Sequence, residues 1–240
     1  MTDLSSFDAP FDAVVIGASG GIGSAMVRQL EQSAGVGQVL ALSRSDAANH
    51  IDLADEASIA LAAERASGLT NLRLVVVATG LLHDGDGLQP EKALRALDPA
   101  AMARNFAVNA TGPALVLKHF APLLPRRGKA VFAAISARVG SISDNRLGGW
   151  YSYRASKVAL NMLLKTAAIE LGRTRKDLVV LGLHPGTVDT GLSKPFQSNV
   201  SDAKLFTPEQ SARCMLDVID TAMADASGSV VAWDGQTVPA

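Results

Sequence analysis

Residues 12–23 read DAVVIGASGGIG, an apolar run of strand length that ends directly in the glycine-rich turn GASGGIG (17–23). A helical pattern begins at about Gly23 or Ser24. In a strand–turn–helix unit, glycines permit a tight turn, let backbone N–H groups approach a phosphate and leave the helix N-terminus pointing at the anion. The stretch therefore predicts a phosphate-binding turn that opens an α/β fold, and a glycine-rich turn that merely packs is the alternative.

Short apolar runs alternate with helical patterns along the rest of the chain. Strand candidates rich in Val, Ile and Leu lie at 12–17, 38–43, 72–78, 129–136, 178–184 and 229–233, and helix candidates lie at 23–33, 56–66, 99–122, 153–171 and 208–223. Runs that are apolar on both faces suit a parallel sheet covered by helices. Asp55, Asp98 and Thr207 are helix start signals. The pattern predicts an α/β fold over residues 1–240: a single-domain, doubly wound (Rossmann) parallel sheet with helices on both faces.

One connection is too short for this pattern. Only eight residues separate Ser43, at the end of the second predicted strand, from Asp52. A parallel crossover normally needs a dozen residues or more. Either the helix usual at that point is missing, or the piece NHID (49–52) is a stub and not a full strand.

Composition restricts the partners. Charged residues make up 19% of the chain, the formal net charge is -1 and no basic block occurs, so we expect neither nucleic acid nor an acidic membrane surface as a partner. The lone Cys214 excludes an internal disulfide and a cysteine metal cluster, and the histidines lack ligand spacing, so we expect no metal. The start MTDLSSFDAP has no signal-peptide pattern and no apolar run approaches ~20 residues, which predicts a cytoplasmic protein.

The glycine spacing is G-x-x-x-G-x-G, and a tyrosine and a lysine follow at Tyr153 and Lys157 in YSYRASK (151–157). These two motifs resemble those of the short-chain dehydrogenase/reductase family. The last segment of the sequence, WDGQTVPA (233–240), resembles the family's subgroup of small carbonyl reductases that includes sniffer and C-factor proteins. The resemblance runs from Val14 nearly to the end and implies an NAD(P)-binding site. It assigns cofactor binding to Gly17, Ser19, Gly21, Ile22, Gly23, Asp52, Leu53, Ala78, Gly80, Pro185, Gly186, Val188 and Thr190.

Tyr153 and Lys157 are four residues apart, so they are neighbours on one helix face. A phenol titrates near 10, and a lysine ammonium beside it lowers that pKa toward the operating pH of a catalytic acid. Tyr153 is therefore predicted to donate the proton to a substrate carbonyl, and the resemblance adds a bond from Lys157 to the nicotinamide ribose. Tyr151 is interpreted as packing or as pocket wall.

The chain departs from the family at the serine that orients the substrate carbonyl. The family places two serines before x-x-Gly and the second is catalytic, whereas this chain reads ISARVGS, with Ser136 first and Ala137 second. Alternate strand residues face opposite sides, so the offset matters. Either a bend at the strand end turns Ser136 inward, or Ser141 or another hydroxyl substitutes, or Tyr153 acts alone.

Asn109 lies inside a predicted helix, where asparagine is unfavourable, and Gly112 and Pro113 follow closely, so we expect a local break. The resemblance implies that the backbone carbonyl of Asn109 binds a water that passes protons to Lys157. The alternative is a side chain that caps the break.

The second predicted strand ends ALSRS, with Arg44 and no acidic residue before Asp46. An acid at this point takes the ribose 2′-OH of NAD, whereas an arginine accommodates the 2′-phosphate of NADP. Arg44 therefore favours NADPH over NAD. A solvated loop charge is the alternative, since no second basic residue lies in the glycine turn.

Two functions follow. The first is an NADPH-dependent reductase of a small carbonyl compound (aldehyde, ketone or quinone), with residues 191–207 as a short loop over the substrate. The second is a dinucleotide-binding signalling protein of the C-factor type with incidental or no turnover, which Ala137 favours. Surplus apolar residues on the helices at 99–122 and 153–171, among them Leu117 and Leu163, predict a homodimer or homotetramer paired through these helices.

Overall fold

A central parallel sheet organises the fold. The computed structural model describes residues 3–84, 87–198, 201 and 204–240. Its strands are β1 Phe11–Ile16, β2 Val36–Leu42, β3 Leu72–Val77, β4 Ala130–Ile135, β5 Leu178–His184, β6 Thr187–Val188, β7 Leu205–Phe206 and β8 Val230–Ala232. Six of them form a sheet of order β2-β1-β3-β4-β5-β8 with every pair parallel, and β6 and β7 form a separate short parallel pair.

Helices cover both faces of this sheet. They are α1 Gly21–Glu31, α2 Glu56–Ala66, α3 Pro99–Phe106, α4 Gly112–Phe120, α5 Tyr151–Leu171 and α6 Pro208–Thr221. The core on one face includes residues of α1 and α6, and the core on the other includes residues of α2, α4 and α5. The predicted doubly wound α/β fold is therefore confirmed.

Strand β1 shows why the sheet must be covered on both sides. Ala13 and Val15 pack into the core beside α1 and α6, whereas Val14 and Ile16 pack into the opposite core. All four side chains are fully buried. Since burying a valine or isoleucine side chain contributes about 1.5–3 kcal/mol, a strand that is apolar on both faces is stable only between two helical layers.

The short connection after β2 contains no helix. Ser43 makes an isolated parallel bridge with His50, and the residues between them form turns. The NHID piece is therefore a stub, which agrees with the second sequence interpretation. Residues 44–52 consequently lie at the carboxyl end of β2, beside the glycine turn.

The helix predicted at 99–122 is interrupted where Asn109 suggested a break. Between α3 and α4 the backbone makes a π-helical turn, Ala107–Thr111. A Cβ on Gly112 would lie 2.7 Å from Leu53, so glycine allows α4 to pass close to the segment after the stub. The predicted start signals are also confirmed, since Asp55, Asp98 and Thr207 accept backbone N–H groups as helix caps.

Two residues predicted for a subunit contact differ in their burial. Leu117 is 5% exposed and belongs to the core. The prediction that Leu117 lies in a subunit interface is therefore wrong. Leu163 is 40% exposed, and Met162 and Ile169 on the same helix are 65% and 57% exposed. Within the described ranges, no helix has the length and apolar character needed to cross a bilayer.

Candidate active site

The turn between β1 and α1 requires its glycines. Gly17 has a φ of +88°, and a Cβ there would lie 2.8 Å from the carbonyl oxygen of Ala78. A Cβ on Gly23 would lie 2.2 Å from the carbonyl oxygen of Gly17, and one on Gly21 would lie 2.8 Å from the methyl group of Thr190. Side chains would therefore push apart the turn, the helix and the neighbouring loops, so the tight turn requires glycine at these positions. Their role in binding a phosphate stays a prediction.

The N-terminus of α1 is open to an anion. Gly20 is the N-cap and offers no side-chain acceptor, and the first intrahelical bond runs from the N–H of Ser24 to the carbonyl of Gly20. The N–H groups of Gly21, Ile22 and Gly23 thus precede the first helical acceptor. An uncapped N-terminus beside a glycine turn fits the pyrophosphate of a dinucleotide.

A cavity of about 330 Å³ lies where β1, β2 and β3 end. Its lining includes seven of the predicted cofactor residues, namely Gly17, Ser19, Arg44, Asp52, Leu53, Ala78 and Gly80. Sequence reasoning missed Gly20, Ser43, Ser45, Ile51, Thr79, Leu81 and Val108. The Oγ1 atom of Thr79 is buried without a hydrogen-bond partner in the described chain. A buried hydroxyl without a partner is unfavourable, so a polar ligand here would stabilise it.

Arg44 is available for a ligand. It is exposed at the cavity rim, and among the described residues its guanidinium makes no ion pair. The nearest acid in the sequence, Asp46, accepts the N–H groups of Asn49 and Ala48. These backbone hydrogen bonds hold the pKa of Asp46 below its usual value. The carboxylate of Asp46 is therefore occupied by hydrogen bonds within its own loop.

Asp52 closes the other side of this cavity. Its carboxylate accepts the N–H of Ala54 at 2.9 Å, and its backbone N–H donates to the Ser58 hydroxyl at 2.9 Å. The turn after the stub is thereby fixed, and Asp52 and Leu53 both line the cavity, as the resemblance implied.

A second, larger cavity of about 540 Å³ lies over the ends of β4 and β5. Predicted residues on its wall are Ile22, Ser136, Tyr153, Pro185, Gly186, Val188 and Thr190. Leu192, Ser193 and Phe196 of the predicted substrate loop also line it, and sequence reasoning missed Leu82, Ile135, Ala137, Arg138, Val139, Leu147, Gly148, Trp150, Arg154, His184 and Thr187. Because Ile22 lines this cavity and Gly17, Ser19 and Gly20 line the other, the glycine turn lies between the two.

Tyr153 lines this cavity from α5, whereas Lys157, one turn further along the same helix, is buried and lines neither cavity. Tyr153 is 8% exposed and Lys157 is 1% exposed. The Lys157 Nζ lies 5.8 Å from the centre of the Tyr153 ring and donates to the carbonyl oxygen of Ile135 at 2.7 Å. Tyr151 is 37% exposed and lines neither cavity, so the pocket-wall interpretation is wrong, and packing stays a prediction.

Burial shifts the pKa values of both Tyr153 and Lys157. It raises the pKa of Tyr153 to about 12 and lowers the pKa of Lys157 to about 7. We expected the lysine charge to lower the pKa of the phenol. The direction is opposite, because burial disfavours the charged phenolate, and burial also disfavours the charged form of Lys157.

Neither serine considered in the sequence presents a free hydroxyl. Ser136 is 1% exposed, and its Oγ donates to the Oδ1 of Asn161 on α5 at 2.6 Å. Ser141 is 2% exposed, accepts the N–H of Asp144 at 3.1 Å and is not on the wall of the larger cavity. Ser136 and Ala137 both line the larger cavity, but the proton of the Ser136 hydroxyl is given to Asn161. The predicted catalytic role of Ser136 stays a prediction.

Asn109 is 1% exposed and its side chain reaches across to the segment after β3. Its Oδ1 accepts the N–H of Leu81 at 2.8 Å, and its Nδ2 donates to the carbonyl of Leu81 at 2.7 Å. The amide therefore fastens the loop between the two cavities and does not cap its own helix. The proton-relay role of its backbone carbonyl stays a prediction.

A buried carboxylate that the sequence did not single out starts α5. Glu91 is 6% exposed, and its carboxylate accepts both the N–H and the hydroxyl of Ser152. The carbonyl of Glu91 accepts the N–H of Trp150, which has a φ of +51°. Acidic acceptors stabilise a helix N-terminus. The helix consequently begins at Tyr151, two residues before the predicted start.

Aromatic rings cover one side of the larger cavity. The ring of Trp150 meets that of Tyr153 edge-on at 6.2 Å and that of Phe196 at 5.0 Å. His83 packs against Phe196 at 5.7 Å, and its Nε2 donates to the carbonyl of Leu192 at 3.1 Å. The described part of the predicted loop at 191–207 thus forms a wall. Residues 199, 200, 202 and 203 of this loop lie outside the described residues.

The comparisons with known proteins define the class. Residues 12–201 match the family model of the short chain dehydrogenases. Because the match covers most of the chain, the chain belongs to the short chain dehydrogenase family. The predicted family and the prediction of an oxidoreductase are confirmed.

Among curated relatives, C-signal of Myxococcus xanthus is 38% identical over 147 residues, which is 61% of this chain and 83% of that protein. The 1-hydroxy-2-glutathionyl-2-methyl-3-butene dehydrogenase of Rhodococcus sp. is 37% identical over 139 residues, 58% of each chain. The match thus spans little more than half of this dehydrogenase.

Among solved structures, the NADPH bound carbonyl reductase from chicken fatty liver has a TM-score of 0.81 at 24% identity, covering 98% of this chain and 97% of that one. The carbonyl reductase Sniffer of D. melanogaster has a TM-score of 0.79 at 20% identity, covering 97% and 100%. At these identities the likeness shows the shared fold.

Proposed function

We propose that this protein reduces a small carbonyl compound to an alcohol with NADPH, and that Tyr153 donates the proton. The observation that carries the proposal is that the Tyr153 phenol, with Lys157 beside it, lines a 540 Å³ cavity separated from a second cavity by the glycine turn. That arrangement suits one dinucleotide laid across the turn, with its reactive end toward the tyrosine.

The described residues fit such a cofactor. The N–H groups at the start of α1 would hold the pyrophosphate, the cavity lined by Asp52 and Leu53 would hold the adenosine, and Pro185, Gly186 and Val188 would line the nicotinamide side. When bound there, a reduced nicotinamide supplies the hydride. NADPH is proposed over NADH because Arg44 stands at the rim of the adenosine cavity without an ion-pair partner in the described chain.

The raised pKa of Tyr153 keeps the donor protonated but makes it a weaker acid than we expected from the sequence. With a pKa of about 12 the phenol keeps its proton at neutral pH. As negative charge develops on the carbonyl oxygen, the phenol gives up that proton, and the phenolate left behind lies near Lys157. Lys157, with a pKa of about 7, is in the range where a lysine exchanges a proton at neutral pH. Tyr153 therefore serves as the proton donor, and Lys157 returns a proton to the phenolate after each reaction.

The cavity wall suits an apolar substrate. Trp150 and Phe196 pack edge to face there, and Leu82, Val139 and Leu192 add aliphatic surface. A wall of this kind binds a carbonyl compound through its hydrocarbon body and leaves recognition of the oxygen to a few polar groups. We therefore propose aldehydes, ketones or quinones with an apolar body as the substrate class.

A second candidate function is a dinucleotide-binding signalling protein with incidental or no turnover. Two observations favour it: Ala137 stands where the family has its catalytic serine, with the neighbouring Ser136 hydroxyl bonded to Asn161, and the chain is 38% identical to C-signal over 147 residues. Reductase activity is the better-supported function because Tyr153 and Lys157 are both present and adjacent.

One experiment separates the two functions. Oxidation of NADPH is followed with a panel of aldehydes, ketones and quinones, and cofactor binding is measured by fluorescence of the reduced nicotinamide. Turnover of any panel member supports the reductase. Tight NADPH binding without turnover of any member would favour the signalling protein. The cytoplasmic location stays a prediction.

A further inference from the structure

The missing serine leaves the substrate oxygen without an obvious second hydrogen-bond donor. Ser136 is committed to Asn161, and Ala137 occupies the next position on the wall. His184 lies directly beside this place, because β4 and β5 pair in register up to Ile135 and Leu183. The imidazole of His184 lines the same cavity as Tyr153.

The backbone fixes which nitrogen of His184 carries the proton. The N–H of Arg138 donates to the Nδ1 of His184 at 3.4 Å. A neutral imidazole accepts through one nitrogen and donates through the other, so this bond assigns the proton to Nε2. The Nε2 atom has no hydrogen-bond partner among the described residues and is not one of their buried unsatisfied atoms. It is thus a donor with solvent or ligand access.

The surroundings keep the ring neutral. Burial first, and then the nearby charge of Arg138, lower the pKa of His184 to about 4, against the opposing effect of Asp234. The ring is therefore uncharged across the neutral range. A neutral imidazole acts as a hydrogen-bond donor that gives up no proton, which is the property a carbonyl-polarising group needs.

We propose that His184 is a catalytic residue whose Nε2–H donates a hydrogen bond to the same carbonyl oxygen that Tyr153 protonates. The proposal rests on the proposed reductase function. The carbonyl carbon receives a hydride from the reduced nicotinamide, the electron pair of the C=O π bond moves to oxygen, and that oxygen takes the proton of Tyr153. His184 keeps its own proton and stabilises the charge that develops on oxygen.

Another polar side chain on the wall competes for this role. Thr187 also lines the cavity and makes no side-chain hydrogen bond within the described chain. His184 is favoured because the N–H of Arg138 anchors its ring and because it neighbours Ala137, where the family has its serine. A donor held in place before the substrate arrives needs no reorganisation during the reaction.

The test compares kcat, KM and NADPH affinity of His184→Phe, His184→Gln and Thr187→Val. His184→Phe is expected to lower kcat about 100-fold, the usual effect of removing one such donor, with NADPH affinity unchanged. His184→Gln, which restores an N–H, is expected to recover most of that loss. His119→Phe is the matched control, because His119 pairs with Glu56 on α2 away from both cavities.

A rescue separates donation from a structural effect. Adding Ala137→Ser to His184→Phe places a hydroxyl on the wall beside the lost donor, and kcat is expected to rise about tenfold. Four outcomes would overturn the proposal. His184→Phe could keep the wild-type kcat, or lose NADPH affinity as much as it loses kcat. The loss of kcat could occur only in Thr187→Val, or the double variant could be no faster than His184→Phe. If the wild-type protein reduces no carbonyl of the panel, the proposed reductase function fails together with the role of His184. If the wild type is active and only the His184 variants behave otherwise than expected, the role of His184 alone fails.

Discussion

The hydroxyl of Ser136 donates to the Oδ1 of Asn161 at 2.6 Å and ties the end of β4 to α5, the helix that carries Tyr153 and Lys157. Asn161 in turn donates to the carbonyl of Gly140 at 3.2 Å. Ser136, which matches the first serine of the family's pair, thus helps to hold β4 against α5. Although Ser136 lines the larger cavity, its hydroxyl proton is directed at Asn161.

Replacement of Ser136 tests this reading. Ser136→Ala leaves the buried Oδ1 of Asn161 without its donor, so the free energy of unfolding is expected to fall by about 1–3 kcal/mol. Urea unfolding measures the loss, and steady-state kinetics of the folded variant measure turnover. We expect kcat to stay close to wild type. A large loss of kcat with unchanged stability would instead make Ser136 the substrate-orienting serine.

The buried lysine predicts a pH dependence of stability. The pKa of Lys157 is about 7 in the folded protein, whereas an unfolded lysine titrates near 10.4. Between these values the unfolded chain binds more protons than the folded one, so the free energy of unfolding rises as pH increases from about 7 to about 10. The slope attributable to Lys157 is at most about 1.4 kcal/mol per pH unit.

Unfolding of the cofactor-free protein over that pH range, compared with Lys157→Met, measures this slope. Lys176→Met is the control, since Lys176 is exposed and is expected to leave the pH dependence unaltered. Identical pH profiles for wild type and Lys157→Met would show that Lys157 is not desolvated as described.

Arg44 is expected to distinguish the two nicotinamide cofactors. Arg44→Asp removes a charged hydrogen bond to the 2′-phosphate, so NADPH affinity is expected to fall by about 1.5–3 kcal/mol while NADH is affected less. Fluorescence titration with both cofactors measures the difference. Arg126→Asp, which changes an exposed arginine outside both cavities, controls for net charge. Equal losses for NADPH and NADH in Arg44→Asp would show that Arg44 does not contact the phosphate.

The exposed apolar face of α5 predicts self-association. Met162, Leu163 and Ile169 are each at least 40% exposed on one helix, and isologous pairing would bury them. Leu163→Glu is expected to reduce the sedimenting mass, and Leu61→Glu, on the exposed face of α2, is expected to leave it unchanged. A wild-type protein that sediments as a 24.9 kDa monomer at every concentration would refute the association.

The sequence predicted those parts of the molecule that local patterns encode. The strands, the start of each capped helix and the glycine turn depend on residues close together in the chain, so apolar periodicity and turn chemistry were sufficient to place them. The spacing of Tyr153 and Lys157 likewise predicted their contact, which the structure places at 5.8 Å between Nζ and the ring centre.

The missed features depend on contacts between distant segments. Glu91 caps α5 through Ser152, 61 residues away, and Asn161 takes the Ser136 hydroxyl from 25 residues away. No local pattern marks either partner. The direction of the Tyr153 pKa was missed for a related reason, because burial of the phenol is a property of the packed fold and not of the YSYRASK spacing.

The central claim is that the Tyr153 hydroxyl delivers the proton in a carbonyl reduction. Its most direct test is the rate of NADPH oxidation by Tyr153→Phe with a carbonyl that the wild type reduces, alongside NADPH affinity by fluorescence and Tyr151→Phe as the exposed-phenol control. We predict that Tyr153→Phe lowers kcat by at least about 100-fold with NADPH affinity within about twofold of wild type, and that Tyr151→Phe behaves as wild type. Wild-type turnover by Tyr153→Phe would contradict the account.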